Sequence, residues 1–432
     1  MSERSAVPGS ASGWTCIVCG AGRTIDDPQP WRCPNATADD RHHVLHPDLD
    51  GWATAPEPGW TKAGSNPFLA NDRRMAWAAA AAARGVDADE RRRLVERLDE
   101  QLLAHGGPAF VPTPLGRSDE LSEALGFSRD GGIWVKDETG NVGGSHKARH
   151  LHSILLHLLA TQATDGVLAI ASCGNAAIAA ATLARAAQRR LDVYVPTWMD
   201  GHTGVALEAL GARITRCERR ATYPSGDPAM FRFREAVDAG AVPFTVQGPE
   251  NALCLDGGRT LGWEVLDQLA VAGDPPFDRV FAQVGGGAFA SSLGAAICPP
   301  GGTTRLHAVQ ARGCAPLDRA WRRMSEQGVP VDELGEHWDE LMTPWDRPRS
   351  AADGILDDET YDWLDVIRPM AASGGRPVVA TEAQIRDAHR AAGRAGLAAS
   401  PTGTAGLAGV LALRDEISPD ERVLVVATGV VR

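Results

Sequence analysis

The sequence predicts an α/β fold in two domains, each an open parallel sheet flanked by helices, preceded by an N-terminal extension. Three observations predict it. From residue 110 onward, short β-branched runs alternate with alanine-rich helical runs, and such alternation builds parallel sheets with helices on both faces. The chain has 432 residues, 44% apolar and 23% charged, which is enough for more than one core and excludes a disordered or fibrous chain. Glycine-rich turns fall between strands and helices at Gly143-Gly144, at Gly174 and at Gly285-Gly286-Gly287. In open α/β sheets, ligands sit beyond the strand ends at such turns.

Residues 1–66 are rich in Pro, Gly, Asp and Trp, lack periodicity and read as an irregular extension. Within it, Cys16-Ile17-Val18-Cys19-Gly20 has the form of a zinc-knuckle turn. The second knuckle, Trp31-Arg32-Cys33-Pro34-Asn35-Ala36, lacks its second cysteine. Cys16, Cys19 and Cys33 are therefore candidate zinc ligands, with His42, His43 or His46 as a fourth. A degenerate ribbon that packs without metal is the alternative.

Residues 67–245 form the first expected domain. Leu94, Leu98, Leu102 and Leu103 recur at helical spacing until Gly106-Gly107-Pro108 ends the helix. Strands are expected at 133–135, 167–171, 193–195 and 213–217, and helices at 148–159, 176–187 and 204–210. Residues 246–432 form the second domain, with strands at 280–284, 306–310 and 423–427 and a helix at 288–297.

The formal net charge is −12, which disfavours binding to a nucleic-acid backbone. No apolar run reaches the roughly 18 residues that cross a bilayer, and no basic segment followed by an apolar one opens the chain. The expectation is a cytoplasmic, reduced protein without a membrane partner. Cys217, Cys254, Cys298 and Cys314 sit in apolar surroundings and are expected to be inert core. Of 43 basic residues only Lys62, Lys136 and Lys147 are lysines. Arginine covers the tasks that need only charge, so a retained lysine points to chemistry that requires a free amine.

Lys147 opens an expected helix after Gly143-Gly144-Ser145-His146. The helix dipole there lowers an amine's affinity for a proton, although a solvent-facing lysine fits the same position. Ser172-Cys173-Gly174-Asn175 lies between a strand and a helix, where it can meet an anion such as a carboxylate or merely cap the helix. Gly285, Gly286, Gly287 and Ala288 can wrap a phosphate. Gly285, Gly287 and Ala290 also satisfy a dinucleotide fingerprint, but the next strand ends in Val309-Gln310-Ala311-Arg312 rather than an acid, which leaves an NADP alternative. Thr428-Gly429 ends the last strand.

Pro112-Thr113-Pro114-Leu115, Gly144-Ser145-His146-Lys147, Ser172 to Asn175, Gly285 to Gly287 and Thr428-Gly429 occur in an order and spacing that resemble fold-type II pyridoxal-phosphate enzymes. That family includes threonine synthase, threonine dehydratase, cysteine synthase and the tryptophan synthase β chain. Residues 110–432 carry the likeness. The stretch Gly257-Gly258-Arg259-Thr260-Leu261-Gly262-Trp263-Glu264 is most similar to threonine synthase.

The resemblance implies that Lys147 forms the Schiff base with pyridoxal phosphate and shuttles the α-proton. Asn175 would hydrogen-bond the cofactor's ring oxygen, and Ser172, Cys173 and Gly174, with Asn175, would face the substrate carboxylate. Gly285, Gly286, Gly287 and Ala288 would bind the 5′-phosphate, and Thr428 would meet the pyridine nitrogen. A neutral hydroxyl there leaves the ring a weaker electron sink, suited to short-lived carbanions that expel a leaving group.

Elimination on a hydroxy- or phospho-activated amino acid is the implied reaction, with β-replacement as an alternative and a homodimer as the implied assembly. An NADP oxidoreductase and a non-catalytic paralogue are readings of other classes. Around the lysine the chain departs from the threonine synthase pattern P-T-G-S-F-K-D-R, with His146 for Phe and Ala148 for Asp. His146 is read as a packed histidine supporting the site, with an acid–base role beside the lysine as the alternative.

Overall fold

The computed structural model describes residues 11–37, 40–49, 65–220, 226–299 and 301–431. Lys62 and residues 223–225 lie outside the described residues.

The chain divides into two compact units, and neither is contiguous. One comprises residues 1–111 and 147–260, the other residues 112–146 and 261–432. The division departs from the expected boundaries at 66 and 245. Pairing between distant strands decides it, and such pairing leaves no local signature in the sequence.

In the first unit, β1 (Ala11–Cys16), β2 (Gly22–Thr24) and β3 (Leu45–Leu49) form an antiparallel sheet in the order β2-β1-β3. The expectation of an irregular extension is corrected here. These strands are short and carry Gly, Pro and Asp, so they show none of the alternation that marks longer strands. The N-terminal sheet holds Trp14 and Leu45 at 1% exposure, which gives it a small core of its own.

The first unit's main sheet is built, after two strands that belong to the other unit, from β6 (Leu168–Ala171), β7 (Leu191–Pro196), β8 (Arg213–Cys217) and β9 (Val242–Pro243). It runs β8-β7-β6-β9, all parallel. Helices Lys147–Thr161 and Asn175–Ala186 are buried on nearly every face; the second is alanine-rich, whereas the first also buries Arg149, His150, His152 and His157. Gly257 lets two helices approach. A Cβ there would stand 2.8 Å from Ser153 Cβ and collide with the Arg149 carbonyl.

The second unit contains β4 (Leu115–Ser118), β5 (Gly132–Asp137), β10 (Arg279–Gln283), β11 (Arg305–Ala311), β12 (Pro377–Ala380) and β13 (Arg422–Ala427). They form one sheet in the order β12-β11-β10-β13-β5-β4. All neighbours are parallel except β4, which is antiparallel to β5. The sheet is thus mixed rather than purely parallel. β4 is a partly exposed edge strand beside Pro114, the place where sheets accept an antiparallel member. β5 pairs with β13 from Gly132↔Arg422 to Asp137↔Ala427. That ladder draws residues 112–146 into this unit. Its core gathers Ile133, Phe281, Val309 and Val425.

Candidate active site

Lys147 is the first residue of helix Lys147–Thr161 and is half-buried. The histidines further along this helix are core. Burial alone holds His152 down to about 3. Burial, partly offset by the Pro28 carbonyl, holds His157 at about 4. Both rings are neutral near pH 7 and add no cation to the helix.

In the same unit, Ser172, Cys173 and Gly174 join β6 to helix Asn175–Ala186. Gly174 is the N-cap and no side chain caps the helix. The ordinary capped turn is therefore not built. Ser172 Oγ accepts the Gly174 N–H at 3.4 Å, and the Ser172 N–H donates to the Tyr194 carbonyl at 3.2 Å, tying the loop to β7. A helix start without a side-chain cap favours an anion.

In the second unit, the glycine loop links β10 to helix Ala288–Ile297. Gly287 is its N-cap at φ 101°, again with no side-chain cap. The loop is pressed from one side by residues 360–362. The Asp362 N–H donates to the Gly286 carbonyl at 2.8 Å. A Cβ on Gly287 would stand 2.9 Å from Thr360 Cγ2, and one on Gly286 would stand 3.1 Å from the Tyr361 ring. Only glycine combines this backbone with this proximity.

Gln310, at the end of the next strand, is 1% exposed. Its amide donates to the Val284 carbonyl and the Thr360 hydroxyl and accepts the Leu317 N–H at 2.9 Å. That side chain is committed to holding the loop, so it cannot read the ribose of a dinucleotide. The loop Thr343 to Ser350 also belongs to this unit, with Trp345 beneath the Arg319 guanidinium at 5.0 Å.

Thr428 follows β13 and is 2% exposed. Its hydroxyl oxygen accepts the His146 N–H at 3.0 Å and lies 2.8 Å from His146 Nδ1. The His146 ring packs on Phe289 with centroids 4.3 Å apart. His146 thus spans the hydroxyl and the first turn of the phosphate-loop helix. His146 is packed, as expected, and nothing local to either residue announced Thr428 as its partner. Further bonds stitch the segment before Lys147 to the end of β13. The Glu138 N–H donates to Ala427 O at 2.8 Å, and the Val430 N–H donates to Gly144 O at 2.9 Å.

Sequence reasoning missed a buried polar network beneath this segment. Lys136 Nζ donates to Thr113 O at 2.7 Å, to Gln268 Oε1 at 2.8 Å and to the Glu264 carboxylate. The Thr113 hydroxyl donates to Glu138, and Asn141 donates to the other Glu138 oxygen at 2.7 Å. Lys136 and Glu138 are fully buried. The rarity of lysine was the available signal, and it pointed to Lys136 as much as to Lys147. Of the two described lysines, Lys136 is committed to an ion pair with Glu264.

Apart from Cys173, the cysteines divide in two groups. Cys254 and Cys314 are fully buried and Cys217 and Cys298 nearly so. Burial pushes the Cys298 and Cys314 thiols up to about 12, which keeps them protonated. Cys16, Cys19 and Cys33 converge instead with His43, all four ligand atoms within 4.8 Å of one another.

The profile of the family described as pyridoxal-phosphate dependent enzyme matches residues 108–429. The chain belongs to this family. The threonine synthase of Synechocystis sp. is 27% identical over 335 residues, covering 76% of this chain and 77% of that protein. The biosynthetic L-threonine dehydratase of Haemophilus influenzae is 28% identical over 227 residues, covering 51% of this chain and 39% of that one. Among solved structures, a threonine deaminase from T.th. superposes with a TM-score of 0.60 at 23% identity, covering 78% of this chain and 98% of that chain. Diaminopropionate ammonia lyase from Escherichia coli gives 0.60 at 17%, covering 78% and 88%. At these identities the structures confirm the fold, that of the fold-type II pyridoxal-phosphate enzymes.

The residues present fit pyridoxal phosphate. The glycine cradle, closed to any Cβ and followed by an uncapped helix start, suits the phosphate. The buried Thr428 hydroxyl suits a ring nitrogen that accepts a hydrogen bond. The dinucleotide alternative is set aside by the family match and by the commitment of Gln310. Among the described residues, no helix is long and apolar enough to cross a membrane.

Proposed function

We propose that this chain is a lyase or synthase that removes the α-proton of a hydroxy- or phospho-activated L-amino acid and expels the activated group. The relationship to a threonine synthase and a threonine dehydratase supports the reaction type. The observation that carries it is a neutral hydroxyl, Thr428, buried at the end of β13 in the unit whose glycine loop suits a phosphate.

The bound cofactor supplies an electron sink for the pair left when the α-proton departs. The chain's own residues do the rest. Lys147 would hold the cofactor through Nζ; displaced from it by the substrate's amino group, the freed Nζ would take the α-proton and could return it. Ser172, Cys173 and Gly174 present a helix start to the substrate carboxylate, and Asn175 holds the cofactor's ring oxygen. Gly285, Gly286, Gly287 and Ala288 hold the phosphate. For a β-hydroxy substrate, the pair on Cα forms the Cα–Cβ double bond as the Cβ–O pair leaves with oxygen.

With His146 Nδ1 protonated, the ring donates to Thr428 Oγ1, which frees the single hydroxyl proton for the pyridine nitrogen. His146 thereby sets the direction in which Thr428 donates. The working form is proposed to be a cytoplasmic homodimer.

The test is a visible absorbance spectrum of the purified protein and of Lys147→Ala, each titrated with O-phosphohomoserine, threonine, serine and O-acetylserine. Wild type should show a cofactor band that one of the first three substrates perturbs, and Lys147→Ala should lose the attached band and turnover. A response to O-acetylserine alone would favour β-replacement. Retention of both band and turnover in Lys147→Ala would overturn the assignment.

A further inference from the structure

We propose that Cys16, Cys19, Cys33 and His43 bind one structural Zn2+ that fixes the N-terminal sheet of the first unit onto the buried Glu250. These residues precede the segment 108–429 matched by the family, so the site stands apart from the pyridoxal-phosphate chemistry.

The four ligand atoms converge on one point of the N-terminal sheet. Cys19 Sγ lies 3.5 Å from Cys33 Sγ, and Cys16 Sγ lies 3.5 Å from His43 Nδ1. Two zinc–sulfur bonds of about 2.3 Å at a tetrahedral angle place their sulfurs roughly 3.8 Å apart. The four ligand atoms, all within 4.8 Å of one another, need only small adjustments to close on an ion. Of the three candidate histidines, the structure selects His43.

The surroundings are built for metal-bound thiolates. His43 Nε2 lies 3.2 Å from the Asp40 carboxylate, the arrangement that orients a zinc-bound imidazole and fixes its tautomer. The Asn35 backbone N–H points at Cys33 Sγ, and its side-chain amide points at Cys19 Sγ, each at 3.4 Å. The Gly20 N–H returns to the Cys16 carbonyl at 2.9 Å, which closes the turn between the first two ligands. Three cysteines and a histidine fill all four positions, so the ion would be structural rather than catalytic.

The ligand loops carry the residues that clasp Glu250. Arg32 adjoins Cys33 and pairs with Glu250, and Arg41, two residues before His43, reaches the same carboxylate at 3.9 Å. Arg234 completes the set at 2.7 Å. Burial alone would raise the Glu250 carboxyl, but the charges of Arg234, Arg32 and Arg41 outweigh it and hold it below the usual range. The Trp31 carbonyl accepts the Ala252 N–H at 3.0 Å, just before helix Leu253–Ala272. Zinc would hold Arg32 and Arg41 in place on this anion.

The test is metal analysis of the full-length protein, purified without chelators from zinc-supplemented medium. About one zinc per chain is expected, with a tetrahedral cobalt spectrum after exchange. Cys19→Ser should lose most of the zinc, and Cys298→Ser should keep it. Asp40 is exposed, so Asp40→Asn tests the site without disturbing the core. It should weaken zinc roughly 10- to 100-fold in chelator competition. Metal-free wild type that remains folded, or a Cys19–Cys33 disulfide in the native protein, would overturn the proposal. Unchanged zinc affinity in Asp40→Asn would overturn the assignment of His43.

Discussion

Lys136→Met separates the two described lysines by experiment. Lys136 Nζ is fully buried and serves three acceptors, the Glu264 carboxylate among them. Removing one member of a buried pair strands the other charge, at a cost of about 3–5 kcal/mol. Here the stranded carboxylate keeps a donor in the Thr113 N–H at 2.7 Å. The loss should therefore fall at the lower end, about 3 kcal/mol. Glu264→Gln in the same background should recover part of it, because no charge is then left unpaired. The assay is urea unfolding followed by tryptophan fluorescence, with the cofactor band recorded on the same samples. Lys136→Met should unfold at clearly lower urea yet keep the band, whereas Lys147→Ala should do the opposite. If Lys136→Met lost the band with its unfolding midpoint unchanged, the amine that holds the cofactor would be Lys136, and the roles of the two lysines would be reversed.

Two further outcomes follow from buried groups in the separate units. Burial raises the Asp256 carboxyl to about 6, and its Oδ1 has no hydrogen-bond partner among the described residues. Between about pH 4 and pH 6 the folded chain holds a proton that the unfolded chain has released, so stability falls as pH rises through that window. Relative to Asp256→Asn, wild type should lose about 2 kcal/mol from pH 4 to pH 7, read from paired denaturation curves. Gly287→Ala places a Cβ at φ 101° and 2.9 Å from Thr360 Cγ2. A cost of about 1–2 kcal/mol should weaken pyridoxal-phosphate affinity roughly tenfold, measured by absorbance titration. Unchanged affinity would remove the glycine loop from the cofactor site.

Local signals carried most of the helices and central strands. The strand Arg213–Cys217 and the helix Ala288–Ile297 have the expected limits, because a glycine turn precedes each of them. Long-range pairing did not show. Nothing near Ile133 announces that its strand lies beside Val423, roughly three hundred positions later. The N-terminal sheet was hidden because three short strands rich in Gly and Pro carry no period. At the candidate site, motif order led to Lys147, Thr428 and the glycines. The His146–Thr428 bond and the Lys136–Glu264 pair were not legible, since each joins residues more than a hundred apart. Which of three histidines completes the cysteine cluster was likewise a question of folding rather than spacing.

The segment 136–146 combines two properties that bear on where specificity can reside. It is anchored at both ends, through the Lys136–Glu264 pair and Glu138 at one and through His146 on Thr428 at the other. The segment itself therefore has little freedom to adapt to one substrate or another. Ala148, the residue after the lysine, is fully buried. An aspartate there, as in the pattern of threonine synthases, would place a carboxylate in the core, at a cost of several kcal/mol unless paired. The packing behind the lysine is thus arranged for a small apolar residue, and the change from Asp to Ala belongs to this chain's own core rather than to a substrate contact. A difference in substrate between this chain and its relatives is expected to lie in loops outside this segment, such as Thr343 to Ser350. Exchanging that loop for the dehydratase sequence should change which amino acid perturbs the spectrum while leaving the cofactor band in place.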